Sequence, residues 1–350
     1  MKSKLRVGII GLGIGRHHLK TLQEMEGVDI SAICDTDSER LAKIKKEYAI
    51  SSAYAESDKM FNREKLDAVI VATPNKFHAS LTIKAFENGA HVLCEKPMAM
   101  NANEAIQMQE AANKSGKKLM INMSYRYTSA AFALKRQIEG GMLGDIYFAR
   151  TVWHRRRGFP GFGSWFGIKD LAGGGPLIDL GVHRIDLALW LMGNPSPVSV
   201  SASTFNPIGS RLAKEQNRSF DVEDLAVAFI RLDNGATLSV EASWAVNRKE
   251  REYMETRLYG TKGGAVHRNI DEGYQFIAEA YCEETGYFVD KTYRNELSQV
   301  PKSTMHFIEC IREDKPPISS GYDGIRIMKI LDGIYESARL RKELLIDELQ

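Results

Sequence analysis

Cysteine is scarce in these 350 residues: Cys34, Cys94, Cys282 and Cys310 are all there are, with no C-x-x-C pair and no His/Cys cluster. A disulfide scaffold and a zinc module are therefore not expected. Four scattered thiols suit a reducing compartment, so a cytoplasmic protein without a metal site is expected. No apolar run approaches the ~20 residues of a membrane span. Met1 to Arg6 are polar and basic but lead straight into an apolar strand pattern, so no signal peptide is expected. An excess of one charge is missing too. Against 47 basic side chains stand 45 acidic ones, and a formal net charge of +2 gives no global attraction for nucleic acid or an anionic membrane. There is no repeat, low-complexity tract or Pro-rich linker. What is present is ordinary for a globular chain, 43% hydrophobic and 26% charged residues, with length enough for two intimately joined cores.

Two styles of sequence follow one another. From residue 5 to about 123, short apolar strands at 6–10, 29–34, 68–72, 91–94 and 118–122 alternate with helical segments at 17–25, 38–48, 79–88 and 102–115. Continuous β-branched runs separated by helices imply a parallel sheet covered on both faces, that is, a doubly wound α/β domain over 1–123. After Tyr125 the pattern changes to a helix at 130–139, a strand at 145–153 and, past a Gly- and aromatic-rich loop, a helix at about 178–192. Alternating strands at 198–205, 224–232 and 236–244 come next, the last two joined across Asp233-Asn234-Gly235, a strong hairpin signal. These predict an α+β domain over 124–322 with an open, mostly antiparallel sheet. A final helix, about 323–341 within a segment 323–350, is expected to pack back on the first domain.

The first strand ends in Gly11-Leu12-Gly13-Ile14-Gly15. Glycines here let the backbone turn tightly and approach a pyrophosphate on the next helix, and strand, loop and helix come in the order a dinucleotide site requires. A plain tight turn is the alternative. Asp35, closing the second strand roughly 20 residues on, is placed to accept from the adenosine ribose hydroxyls, or else simply opens the helix before Ser38. It would repel a 2′-phosphate, which favours NAD; Thr36, Ser38 and Arg40 beside it leave NADP open. The third glycine falls two residues after the second rather than three, which shifts the expected phosphate contacts by a residue.

Reactive side chains gather at strand ends and in one helix. Thr73-Pro74-Asn75 and His78 follow the third strand, and Glu95-Lys96-Pro97 the fourth, at the carboxyl edge where such sheets bind ligands. Proline holds Lys96 extended, its ammonium free to cross a cleft or merely to meet solvent. Further on, Asp179 and His183 are four apart, on one face of a helix, with Asp186 near the same stripe. A dehydrogenase needs a group to take the hydroxyl proton as hydride leaves carbon, and histidine is suited to that near neutral pH. The alternative is a histidine packed at a domain junction.

Residues 11–18, 72–75, 95–97 and 173–186 together resemble the Gfo/Idh/MocA oxidoreductase family, in order and over essentially the whole chain. The resemblance implies an NAD(P)-dependent dehydrogenase of a sugar, inositol or related polyol. It implies catalytic roles for Lys96, at the nicotinamide and the reacting hydroxyl, for His183 as acid/base, and for Asp179 on the sugar hydroxyls. It also implies a cis peptide before Pro97 and, for Arg126 in Ser124-Tyr125-Arg126-Tyr127, a place bordering cofactor and substrate. Trp165 and Phe166 stand where the family often has Trp-Arg, so one cofactor contact is in doubt. Relatives that cleave glycosides by redox elimination with retained NAD, or that act as non-catalytic sensors, keep two other readings open.

The most distinctive local composition is 153–165, rich in arginine and aromatics. Arg155 and Arg157, with Tyr125 and Trp165, are candidate substrate contacts: aromatic faces suit sugar C–H faces and arginine forks suit carboxylates or phosphates. Alternatively these arginines face solvent or another subunit. The open sheet, with Val227, Phe229, Leu238 and Val240 among its apolar residues, predicts a homodimer or homotetramer.

Overall fold

The computed structural model describes residues 4–294 and 300–348; Met1 to Ser3, part of the segment read for a signal peptide, lie outside them. The chain forms two compact units, residues 1–122 with 301–325, and residues 123–300 with 326–350.

In the first unit six strands alternate with helices: β1 (Leu5–Ile10), α1 (Gly15–Gln23), β2 (Val28–Cys34), α2 (Ser38–Glu47), β3 (Ser52–Tyr54), α3 (Ser57–Arg63), β4 (Ala68–Val71), α4 (His78–Glu87), β5 (His91–Cys94), α5 (Ala102–Ser115) and β6 (Leu119–Ile121). All neighbouring strands run parallel in the order β3-β2-β1-β4-β5-β6. Strand order reverses between β1 and β4, so the carboxyl ends of these two strands form the crevice in which a doubly wound sheet binds its ligand. Val7, Ile9, Val69, Ile70, Val92 and Leu93 have no exposed surface, as a sheet covered on both faces requires. β3 and α3 escape the periodicity reading because a three-residue edge strand holds too few residues to show a period.

The second unit contains α6 (Ser129–Glu139), β7 (Ile146–Arg155), a four-residue turn of helix α7 (Lys169–Ala172), α8 (Val182–Leu191), β8 (Pro197–Phe205), α9 (Pro207–Glu215), β9 (Leu225–Leu232), β10 (Thr237–Ser243), β11 (Glu252–Gly260), β12 (Gly263–Asn269), β13 (Phe276–Glu284) and β14 (Tyr287–Tyr293). After these come α10 (Ser303–Arg312), the long helix α11 (Gly321–Leu340) and β15 (Leu344–Leu345). The sheet runs β14-β13-β12-β11-β7-β10-β9-β8-β15 and is antiparallel throughout except where β7 lies parallel to β10. One face is covered by α8, every residue of which is buried. On β9, Ala226, Ala228, Ile230 and Leu232 point to that covered face, while Phe229 and Arg231 face outward. Leu238 and Val240 pair with Ile230 and Ala228 and are buried with them. They therefore belong to the core and not, as the sequence suggests, to the open face: the two-residue period of β10 sends Thr237, Ser239 and Glu241 outward instead.

The carboxyl-terminal part of the chain divides differently from the expected 323–350 segment. α10 rejoins the first unit through Phe307, Ile308 and Cys310, and Ser319 Oγ donates to the Ile121 carbonyl at 2.7 Å. From Arg326 onward the long helix counts with the second unit, where Ser337 Oγ accepts from the Ala202 amide at 3.0 Å and Tyr335 donates to Glu223 at 3.0 Å.

One ion pair in the second unit is sealed from water. Arg126 Nε and Nη2 donate to Asp186 Oδ2 and Oδ1 at 2.8 and 2.6 Å, with both side chains about 1% exposed. Removing one partner leaves the other charge buried. Asp186→Ala is expected to lower stability by about 3–5 kcal/mol in urea denaturation, whereas Glu343→Ala, whose pair with Arg231 lies at the surface, is expected to unfold at nearly the parent's urea midpoint.

Candidate active site

The glycine loop is built to receive a dinucleotide. Gly11 has φ +88°, and a Cβ there would lie 2.3 Å from the Ala72 carbonyl oxygen, so only glycine fits between β1 and β4. A Cβ on Gly13 would meet nothing within 4 Å, leaving its backbone open to a ligand. Gly15 is the packing glycine, with a Cβ position 3.1 Å from Ile9 Cγ2. The helix-packing role thus falls on the third glycine despite the shortened spacing. α1 begins with no side-chain cap and no acidic residue in its first turn; the His17 amide bonds the Ile14 carbonyl at 2.9 Å, and those of Gly15 and Arg16 meet no side-chain acceptor. Thr73 Oγ1 is a further buried polar atom with no hydrogen-bond partner. An open cradle, bare helix amides and an orphan hydroxyl are what a pyrophosphate-bearing cofactor would satisfy, and the residues fit that group.

Asp35 is buried at the end of β2. Its Oδ2 accepts from the Leu12 amide at 2.7 Å and from Arg40 Nη1 at 3.1 Å, and its Oδ1 from the Asp37 amide at 2.8 Å. The carboxylate thereby ties the glycine loop to β2.

The next two loops are pinned from beneath. His78, with no exposed surface, sets Nδ1 2.7 Å from the Pro97 carbonyl oxygen and Nε2 2.8 Å from that of Thr73. Burial pushes its pKa down against the two carbonyls, which favour the charged ring. It joins the loops after β4 and β5 with both ring nitrogens, and Asn75 is buried beside it. The Lys96–Pro97 peptide is cis. Glu95 turns its carboxylate inward: Oε1 lies 2.8 Å from His18 Nε2 and 2.7 Å from Asn122 Nδ2, and Oε2 accepts from the Lys96 amide at 3.2 Å. His18 Nδ1 in turn meets Thr304 Oγ1 at 2.7 Å. Burial raises the Glu95 pKa, but the His18 hydrogen bond and charge outweigh it and hold the carboxyl below its usual range. Neither Glu95 nor His78 thus offers an outward polar group; both hold the segment that carries the half-buried Lys96.

In the second unit, Asp179 lies in a wide π turn, Leu177–Gly181, that runs directly into α8 rather than in a regular helix. Such turns often mark functional sites. The turn is anchored by Glu223, which accepts from the Gly175 and Leu177 amides at 2.9 and 3.0 Å. Trp244 Nε1 donates to Asp179 Oδ2 at 3.1 Å. His183, in the first turn of α8, packs against the edge of Tyr125 (ring centroids 4.8 Å apart) and against Trp153 (5.8 Å). Arg184 sits behind these rings, its guanidinium 4.4 Å from the Tyr125 centroid and 5.5 Å from that of Trp153. Burial pushes its pKa down to about 10.

Two expectations meet a different geometry. Arg126, about 1% exposed, is paired with Asp186 and stacks at 5.8 Å on Trp190, so its guanidinium is enclosed within the second unit with Asp186 as a partner. Of the arginines at the end of β7, Arg155 donates Nε to Glu252 at 2.9 Å and Nη2 to Tyr274 at 2.8 Å, while Arg157 is exposed and bonds Asn247 at 2.8 Å. Trp165 stacks on Phe166 at 3.9 Å, so the position without the arginine holds an aromatic pair.

Residues 5–123 match the family described as "Oxidoreductase family, NAD-binding Rossmann fold", and residues 132–266 the "GFO/IDH/MocA C-terminal domain". D-glucoside 3-dehydrogenase of Escherichia coli is 32% identical over 345 residues, 96% of each chain. The chain belongs to the Gfo/Idh/MocA family. Myo-inositol 2-dehydrogenase of Thermotoga maritima is 26% identical over 324 residues, 91% of this chain and 92% of that one. Among solved structures, levoglucosan dehydrogenase in complex with NADH and levoglucosan superposes with a TM-score of 0.84 at 25% identity, covering 99% of this chain and 100% of the other. This member is an NAD-binding oxidoreductase.

Sequence reasoning offered His18 only a capping or phosphate role and Trp153 only a sugar face, and left Asn122, Glu223 and Glu252 without roles. Only the paired spacing of His18 with the glycine loop could have drawn attention; the rest acquire partners 27 to 99 residues away. Two predictions follow from this geometry. Gly11→Ala is expected to destabilise the fold by about 1–3 kcal/mol, whereas Gly13→Ala is expected to melt like the parent and lose NAD(H) binding, read by calorimetry. The Glu95 carboxylate, with its lowered pKa, contributes stability that is present above its unfolded value near 4.3 and is lost as pH falls through the folded value. In Glu95→Gln the fall in melting temperature between pH 7 and pH 3 should be smaller than in the parent.

Proposed function

We propose that the protein is a dehydrogenase that interconverts one secondary ring alcohol of a sugar, inositol or related polyol and the corresponding ketone. The observation that carries this reading is the setting of His183, held between Tyr125 and Trp153 just after the π turn that bears Asp179. An imidazole there can take the hydroxyl proton, and the aromatic rings beside it suit the C–H face of a sugar ring. Asp179 would accept from a neighbouring ring hydroxyl, and its bond to Trp244 fixes the carboxylate for that task. Lys96 would place its ammonium on the reacting oxygen and favour the alkoxide. The bound dinucleotide supplies the hydride acceptor or donor. Relatives that act on D-glucosides, on myo-inositol and on levoglucosan support the substrate class. Asp35 favours NAD over NADP, since a 2′-phosphate would face its carboxylate, although Arg40 at 3.1 Å softens that repulsion.

Two finer readings accompany the activity. The outward face of the second sheet exposes Phe205, Phe229 and Tyr259, and supports a homodimer or homotetramer formed through that face. No helix among the described residues is long and apolar enough to cross a membrane, and four free cysteines support a cytoplasmic location.

The test is the formation of reduced cofactor with a panel of glycosides, aldoses and inositols, NAD and NADP being offered separately. Lys96→Ala and His183→Ala are each expected to lower kcat/KM by about 10²–10⁴. Absence of turnover across the panel, or full activity in both variants, would overturn the proposal.

A further inference from the structure

The arginine beside the histidine is already neutralised, and the way this is done bears on charge selection. Arg155 Nε, Trp153 Nε1 and the Tyr274 hydroxyl all donate to a single oxygen, Oε1 of Glu252, at 2.9, 2.7 and 3.0 Å. Arg155 also gives Nη2 to Tyr274 and Nη1 to the Gly158 carbonyl at 2.8 and 3.3 Å. Three of the five guanidinium N–H groups are thus used, leaving two donors. Glu252 Oε2 accepts no hydrogen bond among the described residues, although the side chain is only 17% exposed. The trio shares an indole with the histidine: the Arg155 guanidinium lies 5.5 Å from the Trp153 ring, Tyr274 6.3 Å and His183 5.8 Å. Arg156 and Arg157 stand apart, exposed and bonded to backbone carbonyls of Lys249 and Val246.

We infer that Glu252, Arg155 and Tyr274 form a specificity clasp for a vicinal diol on an uncharged ring, and that sugars carrying a carboxylate or phosphate at that position are rejected. This rests on the sugar-dehydrogenase reading above. One ring hydroxyl donates to Glu252 Oε2 while its neighbour accepts from a remaining Arg155 N–H, a match of one acceptor and one donor that two adjacent hydroxyls meet. A carboxylate or phosphate dianion has no proton for Oε2 and would face it as a like charge. The guanidinium cannot turn to such a group without abandoning Glu252, whose desolvated charge would then lose its partner. The abundance of arginine in this segment therefore serves to hold Glu252 rather than to bind an anion.

The test compares kcat/KM for a methyl D-glucoside with its 2-phosphate and its 4-phosphate, each of which replaces one hydroxyl of a vicinal ring pair by an anion, in the full-length protein with NAD. The glucoside is expected to be preferred over both anionic sugars by about 100-fold. Glu252→Gln removes the charge and keeps an acceptor and the side-chain volume. It is expected to raise KM for the glucoside several-fold and to narrow the preference by about tenfold, with kcat changed less than KM. Tyr274→Phe, at an exposed loop position, is expected to raise KM with kcat retained, and checks the clasp without disturbing the core. Unaltered NADH binding in both variants confirms that they are folded. Equal or better use of the anionic sugars by the parent, or an unchanged ratio in Glu252→Gln, overturns the clasp while leaving the dehydrogenase intact. No turnover of any sugar overturns both.

Discussion

A carboxylate removed from water must collect enough donors to remain charged, and the loops of this protein are held by carboxylates that do so. Glu95 is the clearest case. Its two oxygens draw in His18 from α1, Asn122 after β6 and the amide of Lys96, so that three separate parts of the first unit converge on one carboxylate beside Lys96. Asp35 does the same at the end of β2, gathering Leu12 of the glycine loop. In the second unit Glu223 holds the amides of Gly175 and Leu177 and the phenol of Tyr335, fixing the π turn that presents Asp179. The electrostatics differ. Glu95 has a histidine among its partners and is held ionised, whereas Glu223 has only neutral donors, and burial raises its pKa. The first anchor resists protonation; the second yields to acid sooner.

Rigid anchoring has a consequence for chemistry. A general base contributes only when it stays within hydrogen-bond reach of the proton it must take, and a displacement of an ångström is costly. His183 is placed by rings on two elements, Tyr125 and Trp153, and by its own helix, which is buried along its whole length. Lys96 is placed by hydrogen bonds to its neighbours, His78 holding Pro97 and Glu95 holding the Lys96 amide. The backbone that carries the ammonium and the imidazole are thus positioned by different means, polar anchoring for one and aromatic packing for the other.

Much of this was legible before any coordinates. β1, β2, β4 and β5 declare themselves as unbroken apolar runs, and Gly11, Asp35 and Lys96 follow the carboxyl ends of β1, β2 and β5, positions that chain order alone gives. The second unit was read less completely. The strands β11 to β14 were not anticipated, and the inward direction of Leu238 and Val240 depends on a register that composition does not carry. The π turn was invisible too, since the Asp179 to His183 spacing suits an α-helix equally well. Hardest of all were partners: nothing local in the sequence says that Glu252 belongs to Arg155, or Asp186 to Arg126, because sheet pairing and helix packing bring them together across 97 and 60 positions.

Arginine illustrates why partners decide meaning. By residue type alone, Arg126, Arg155 and Arg184 are three equivalent cations. In the fold they are three different objects. Arg126 is cancelled by a bidentate carboxylate and serves the core. Arg184 meets no carboxylate among the described residues and lies over aromatic rings; burial lowers its pKa, and Tyr125 works against that shift. Arg155 is paired through one nitrogen and keeps two donors to spend, so it retains direction without net charge. A group of that kind distinguishes hydroxyl stereochemistry better than it attracts ions, because a neutralised fork offers geometry and little long-range field. A polyhydroxylated ring differs from its epimers in the direction of its hydroxyls and not in charge, and such a fork is the feature able to tell them apart.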